Sequence, residues 1–160
     1  MRKQIIILYI GLSVCMAGIQ QQLKAQDISR HSAFFELGGN AIIFSLNYDY
    51  IPIVLNYFKT AITFGGSPVG ITPQINFLFG GSLSAEIGFG YTIDIKPYFS
   101  TQYGQPYNYE SYRIGFRYQP NHRGILFRLA FTPIRIARTR YDYPVPWFGI
   151  SLGYTFGKKK

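Results

Sequence analysis

The ten residues from Trp147 to Phe156 alternate without a break. Phe148, Ile150, Leu152, Tyr154 and Phe156 fall on one side, with Trp147, Gly149, Ser151, Gly153 and Thr155 on the other. A strand projects its side chains with period two, so one face of this ribbon is greasy and the other small or hydroxylic. Ten residues is about the length with which a tilted strand crosses a bilayer. Whatever else this chain does, it must satisfy a ribbon with one face made for hydrocarbon.

The same period runs upstream. Leu83 to Asp94 sets Leu83, Ala85, Ile87, Phe89, Tyr91 and Ile93 against Ser84, Glu86, Gly88, Gly90, Thr92 and Asp94. Ile71 to Phe79 alternates with Thr72, Gln74 and Asn76 on its polar side and Leu78 as an exception. Tyr112 to Tyr118, Ile125 to Thr132 (Leu126 imperfect) and Phe58 to Phe64 read alike. No window after the first 26 residues shows the helical period. From Ala33 to Tyr50 the phase changes: Phe35 and Leu37 are apolar at odd positions, Ile42, Phe44, Leu46, Tyr48 and Tyr50 at even ones. A one-residue slip turns every side chain to the wrong face, so a turn or a bulge at Gly38-Gly39-Asn40 must absorb it. A turn gives eight strands, in keeping with the even counts of single-chain bacterial barrels.

Gly80-Gly81-Ser82 and Gln119 to Gly124 are short turn-rich links, whereas Ile95 to Asn108 and Ala137 to Pro146 are longer and rich in Tyr and Pro. With both termini on one side, the short links belong there and the long ones opposite. Tyr48, Tyr50, Tyr91, Tyr112, Trp147 and Tyr154 suit the aromatic girdles of a membrane interface.

The front of the chain is different. Met1-Arg2-Lys3, an apolar run from Ile5 to Ile19 and a small residue at Ala25 predict a cleavable signal peptide over 1–26, leaving one domain over 27–160. The run is short for a permanent anchor. A lipid attachment at Cys15 is disfavoured by the branched Val14 before it. Cleavage removes the single cysteine, and with it thiolate metal sites, disulfides and thiol nucleophiles. Losing Arg2, Lys3 and Lys24 takes 16 basic residues to 13 against 7 acids, and the net charge from +9 to +6. A chain with 14 Tyr, 14 Phe and only 14% charged residues would need a very large core in water, but needs none if its greasy face meets lipid.

Several segments carry a resemblance. Glu36-Leu37-Gly38-Gly39-Asn40, Ser45 to Tyr50, Phe127 to Pro133 and Gly149 to Phe156 resemble those of small, mostly uncharacterised bacterial outer-membrane β-barrel proteins. The likeness spans most of 27–160 and rests on strand motifs. It implies an all-β fold, an eight-stranded antiparallel transmembrane barrel, in the outer membrane of a Gram-negative bacterium. It also implies that Tyr154 and Phe156 serve as the insertion signal read by the barrel-assembly machinery. The Gly157-Lys158-Lys159-Lys160 tail departs from the pattern, since many such barrels stop at the aromatic residue.

The candidate site is the polar face. Glu86, Arg113, Arg117 and Arg128 lie on three successive strands, with Lys59, Asp49, Glu36 and Asp94 on the same face elsewhere. Small barrels fill their interior with side chains, so these charges are expected to pair in a plugged lumen. The functional alternative is a narrow, porin-like channel or carrier for small, anionic solutes. Arg135, Arg138 and Arg140 at the last long loop could meet lipopolysaccharide phosphates, or simply be solvated. A lipid-modifying enzyme needs a base beside a nucleophile. His31 precedes the first expected strand and its neighbour Ser32 points away from it, while His122 sits in a turn without an acid or serine. No catalytic set, cofactor fingerprint, metal-ligand spacing or nucleic-acid motif is legible. At the level of fold the rival is a soluble lipocalin-like barrel, with the aromatic face lining a ligand cavity. Gly88, Gly90, Gly149 and Gly153 on the polar face argue against a solvated exterior there.

Overall fold

The computed structural model describes residues 28–68, 70–95, 108–136 and 144–157, and in it the alternating segments close on themselves. The strands are β1 (His31–Gly38), β2 (Phe44–Leu55), β3 (Phe58–Gly66), β4 (Gly70–Gly80), β5 (Leu83–Asp94), β6 (Tyr109–Tyr118), β7 (Gly124–Phe131), β8 (Ile134–Ile136) and β9 (Phe148–Phe156). Each of β1 to β6 pairs antiparallel with the next, and β9 pairs with both β7 and β1, which closes the ring. The short β8 pairs with β6 through Ser111↔Ile134, Glu110↔Arg135 and Tyr109↔Ile136, so it continues β7 beyond a break at Thr132-Pro133. Proline has no N–H for the ladder, which is why the line is interrupted there. Counting β7 and β8 as one stave, the architecture is a closed eight-stranded antiparallel barrel. Closure matters physically, because it leaves no unpaired strand edge.

His31 opposite Phe156 puts the start of β1 and the end of β9 at one end of the barrel, hereafter the terminal end. The links after β2, β4 and β6 turn at that same end, and all three are short. β5 and β8 end, and β6 and β9 begin, at the opposite end. His31 is the first residue of β1 rather than a residue ahead of it, because β1 pairs two residues further than the apolar pattern alone indicates. The expected signal segment 1–26 and the residues Cys15, Lys96, Arg138, Arg140 and Lys158 to Lys160 lie outside the described residues, as does the side chain of Asp94.

The two walls are opposite in character. Phe35, Leu46, Phe64, Ile71, Ile87, Phe116, Leu129, Leu152 and their like stand exposed on the outside of successive strands, around the whole circumference. Tyr50 and Tyr154 are exposed near the terminal end; Tyr91, Tyr112 and Trp147 stand nearer the other. Inside, Ser32, Glu36, Asn47, Asp49, Thr63, Asn76, Glu86, Arg113, Arg117, Arg128, Ser151 and Thr155 are buried. The arrangement is the reverse of a lipocalin's. A small apolar cluster sits within, made of Ile51, Ala61 and Leu78 with Val54 against it, and Leu126 is buried too. Leu78 and Leu126, the two exceptions to the alternation, are therefore inward residues. β2 reaches this cluster through a register shift between Tyr50 and Ile53, and Pro52 stands in that irregularity, where no ladder N–H is required.

The phase change in the first segment is resolved by a turn. Gly39–Ala41 form one turn of 3-10 helix between β1 and β2, and Gly38 N–H donates to Ile43 O (2.7 Å) to close the hairpin. Gly38 and Gly39 take positive φ of 69° and 63°, which glycine adopts at no steric cost. Unlike a simple two-residue hairpin link, this turn dips inward: Gly39, Asn40 and Ala41 are all buried.

Candidate functional site

The inward residues form two adjacent polar groups across the middle of the lumen. The centre of the larger one is Glu36 on β1. Glu36 Oε1 accepts from Arg113 Nη2 (2.7 Å), Arg128 Nη2 (3.2 Å) and Ser151 Oγ (3.4 Å). Glu86 on β5 is the second acid: its Oε1 accepts from Arg128 Nη1 (3.2 Å) and stands 3.9 Å from Arg113 Nη1. Arg113 also donates to Gln74 Oε1 (2.7 Å) and Asn40 Oδ1 (3.0 Å), and Arg128 Nε donates to Ser151 Oγ (3.2 Å). The Arg128 guanidinium lies over the Phe34 ring, 4.3 Å from its centroid. A second group lies beside the first, where Arg117 pairs with Asp49, Thr63 Oγ1 donates to Asp49, and Asn76 Nδ2 donates to Thr63 Oγ1 (3.0 Å).

The strand register dictates this cross-lumen wiring. Arg117 and Arg128 are directly opposite each other on β6 and β7. Like charges on facing strand positions repel, so neither can be neutralised by its neighbour. Their acids come from other staves: Asp49 from β2, Glu36 from β1 and Glu86 from β5. Removing these charges from water is costly unless they pair, and here every ionised side chain of the middle section has an opposite partner. Lys59 is a further buried cation near the terminal end, and its Nζ donates to Gly81 O (2.8 Å). Arg113, Arg117, Arg128, Glu36 and Glu86 are at most 1% exposed. No water-wide passage therefore runs past them.

Space for the network is made by glycine. A side chain at Gly90 would collide with Asn40 and reach within 2.8 Å of Ser111 Oγ; one at Gly149 would sit 2.8 Å from Gly39 Cα. These bare positions admit the inward turn, whose Asn40 is also held by Thr92 Oγ1 donating to Asn40 O (3.1 Å). At the rim, Trp147 Nε1 donates to Ile42 O (3.1 Å).

The structure brings Glu86, Arg113, Arg117 and Arg128 together with Glu36 and Asp49. Reading the polar face did not single out Phe34, Asn40, Gln74, Thr63 or Ser151 as members. Phe34 breaks the apolar-out rule, and the only cue to it is that its registered neighbour is Gly153, where a side chain would strike Phe34 Cβ. Arg135 is half-exposed at the end away from the termini, 3.8 Å from Glu110, so its charge is already matched in part. Tyr154 and Phe156 lie on the outer wall, their rings edge to face at 5.7 Å. His31 points outward and Ser32 inward, so the adjacent pair cannot act on one group. His31 Nδ1 instead shares a hydrogen bond with Tyr48 Oη (2.6 Å), and His122 lies in the β6–β7 turn. Among the described residues no three of His, Cys, Asp and Glu gather as metal ligands do. No protein-family model matches this chain, nor does any curated protein or solved structure.

Proposed function

We propose that the chain is an integral protein of a bacterial outer membrane whose sealed barrel has a structural or surface-interaction role, with neither transport nor catalysis as its task. One observation carries the reading: a closed barrel whose outer wall is apolar and aromatic on every stave while the ionised groups of its middle section are enclosed. A soluble monomer seldom exposes more than a few hundred Å² of contiguous apolar surface. Here large exposed apolar residues continue from stave to stave around the barrel. Its height also fits. The nine residues of β9 rise about 30 Å along the strand, or roughly 23 Å along an axis tilted by ~40°, close to the ~25 Å apolar band of such barrels.

On this reading the outward Tyr154 and Phe156 are what the assembly machinery meets, and Arg135, Arg138 and Arg140 stand toward lipopolysaccharide. The channel alternative needs a water-filled path, and the middle section leaves none. Heat-modifiable migration in detergent gels, together with membrane fractionation, tests the reading. The expected result is a compact band that shifts on boiling, in the outer-membrane fraction. A mature chain that stays folded and dispersed in plain buffer would overturn it. In planar bilayers no steady current is expected; anion-biased openings lost on changing Arg113 or Arg128 would instead establish a pore.

A further inference from the structure

We propose that the terminal end of the barrel carries a binding site for the phosphodiester headgroup of an anionic phospholipid, in the cleft between Arg30, His31, His122 and Phe156. The proposal rests on the membrane reading above, since its ligand is a membrane lipid. The cleft has a volume of about 310 Å³ and is walled by three separate pieces of chain: 28–31 leading into β1, the β6–β7 turn, and the exit of β9 at Phe156 and Gly157. Backbone bonds hold these pieces in place. Ser29 N–H donates to Asn121 O (2.6 Å), which brings the turn with His122 against the residues leading into β1, and Ile51 N–H donates to Arg30 O (2.9 Å).

The chemistry of the walls points to an anion with an apolar body. Arg30 Nη1 donates to Pro52 O (3.1 Å), which fixes the guanidinium fork, and no carboxylate pairs with it among the described residues. A fixed guanidinium suits the paired oxygens of a phosphodiester. The His31 ring is held against Tyr50 (5.1 Å between centroids) and by its bond to Tyr48. Among the described residues none that lines it is acidic. Glu36, Asp49 and Glu86 are all committed to the lumen, and Glu110 stands at the other end with Arg135. Ile28 and Phe156 supply the greasy border that a headgroup site at a membrane surface requires. A groove of about 400 Å³ on the outer wall, around Ala85 and Gly115 between Ile87, Phe116 and Leu129, makes the contrast. It offers hydrocarbon contacts and no cation, so it suits acyl chains alone.

Native mass spectrometry of the mature protein in a nonionic detergent, given phosphatidylglycerol, phosphatidylcholine or glycerol phosphate, tests the site. Phosphatidylglycerol should be retained preferentially, with retention falling about tenfold in a variant combining Arg30→Ala and His122→Ala, equivalent to about 1.4 kcal/mol. Should the Arg30 change impair folding, as gel migration would reveal, His122→Ala alone is expected to lower retention severalfold. Equal retention of phosphatidylcholine, retention of glycerol phosphate in place of the lipid, or unchanged lipid binding in folded variants would each overturn the proposal. Failure of the membrane reading is a separate result, namely a chain that folds in plain buffer.

Discussion

The two ends of the lumen are shut by different means. Away from the termini the closure is a piece of chain, the turn from Gly38 to Ile43, held down by Arg113 and Thr92 through Asn40 and by Trp147 through Ile42. At the terminal end it is built from side chains of the wall itself. Ile51, Leu78 and Leu126 are buried there, beside a belt in which Gln119 Nε2 donates to Ser32 Oγ (2.9 Å) and Ser32 meets Thr155 Oγ1 (3.2 Å). A turn can leave the lumen without breaking a strand pair, whereas a wall residue cannot. The two neutral hydrogen bonds holding the turn are each worth about 0.5–1.5 kcal/mol and the one from Arg113 about 1.5–3 kcal/mol, while burying each of three aliphatic side chains is worth about 1.5–3 kcal/mol. The terminal closure is thus the stronger, and the turn is the element that any opening would move first.

Both closures lean on the middle section, so the largest effect is expected there. Glu36→Ala strips the acceptor shared by Arg113 and Arg128, leaving two buried guanidiniums to share Glu86. A loss of about 3–5 kcal/mol is expected, read as a lowered urea midpoint of the heat-modifiable band. A loss below about 1 kcal/mol would mean that the ends stand independently of the charges between them. Next comes the terminal closure. Leu78→Ala opens a void against Ile51 and Ala61 and should cost about 2–3 kcal/mol by the same measurement. If it costs less than the outer-end changes below, the ranking of the two closures is wrong.

Much of this architecture is legible in the chain because a closed β-barrel writes itself in a period of two. The strand Leu83–Asp94 is where the alternation puts it, and the four charges picked from the polar face all lie inside. What was not legible depends on contacts across the lumen. Nothing in the spacing of Glu36, Asp49 and Glu86 tells which arginine each will meet, since that is fixed by how far neighbouring strands are staggered. Phe34 was not singled out from the sequence and proves to be the ring beneath Arg128. Leu78 and Leu126 looked like errors in a pattern but are inward residues near the terminal end. The turn at Gly38-Gly39-Asn40 was foreseeable from the phase change, but its inward dip was not. The cue lay in Gly90 and Gly149, bare positions on distant strands that make room for it.

The outer closure should respond weakly, and in two directions. Asn40→Ala removes the charge-assisted bond from Arg113 to the turn and should cost about 1.5–2 kcal/mol. Planar bilayers should stay silent, because the middle section and the terminal end remain shut; a steady current would show that the turn alone had been the barrier.

The smallest effect has the opposite sign. Ile42 has φ 68° and ψ −57°, and Ile43 N–H donates to Ala41 O (2.8 Å), so Ile42 is the centre of a γ-turn of the rare, strained kind. A β-branched residue pays for that conformation, which glycine would adopt freely. Ile42→Gly should therefore raise stability by about 1 kcal/mol, since the side chain is only partly buried and little packing is lost. The gain should appear in the unfolding midpoint with the slope unchanged. A loss instead would mean that the Ile42 side chain anchors the turn more than its backbone strains it, and the outer closure would then owe its hold to packing, as the terminal one does.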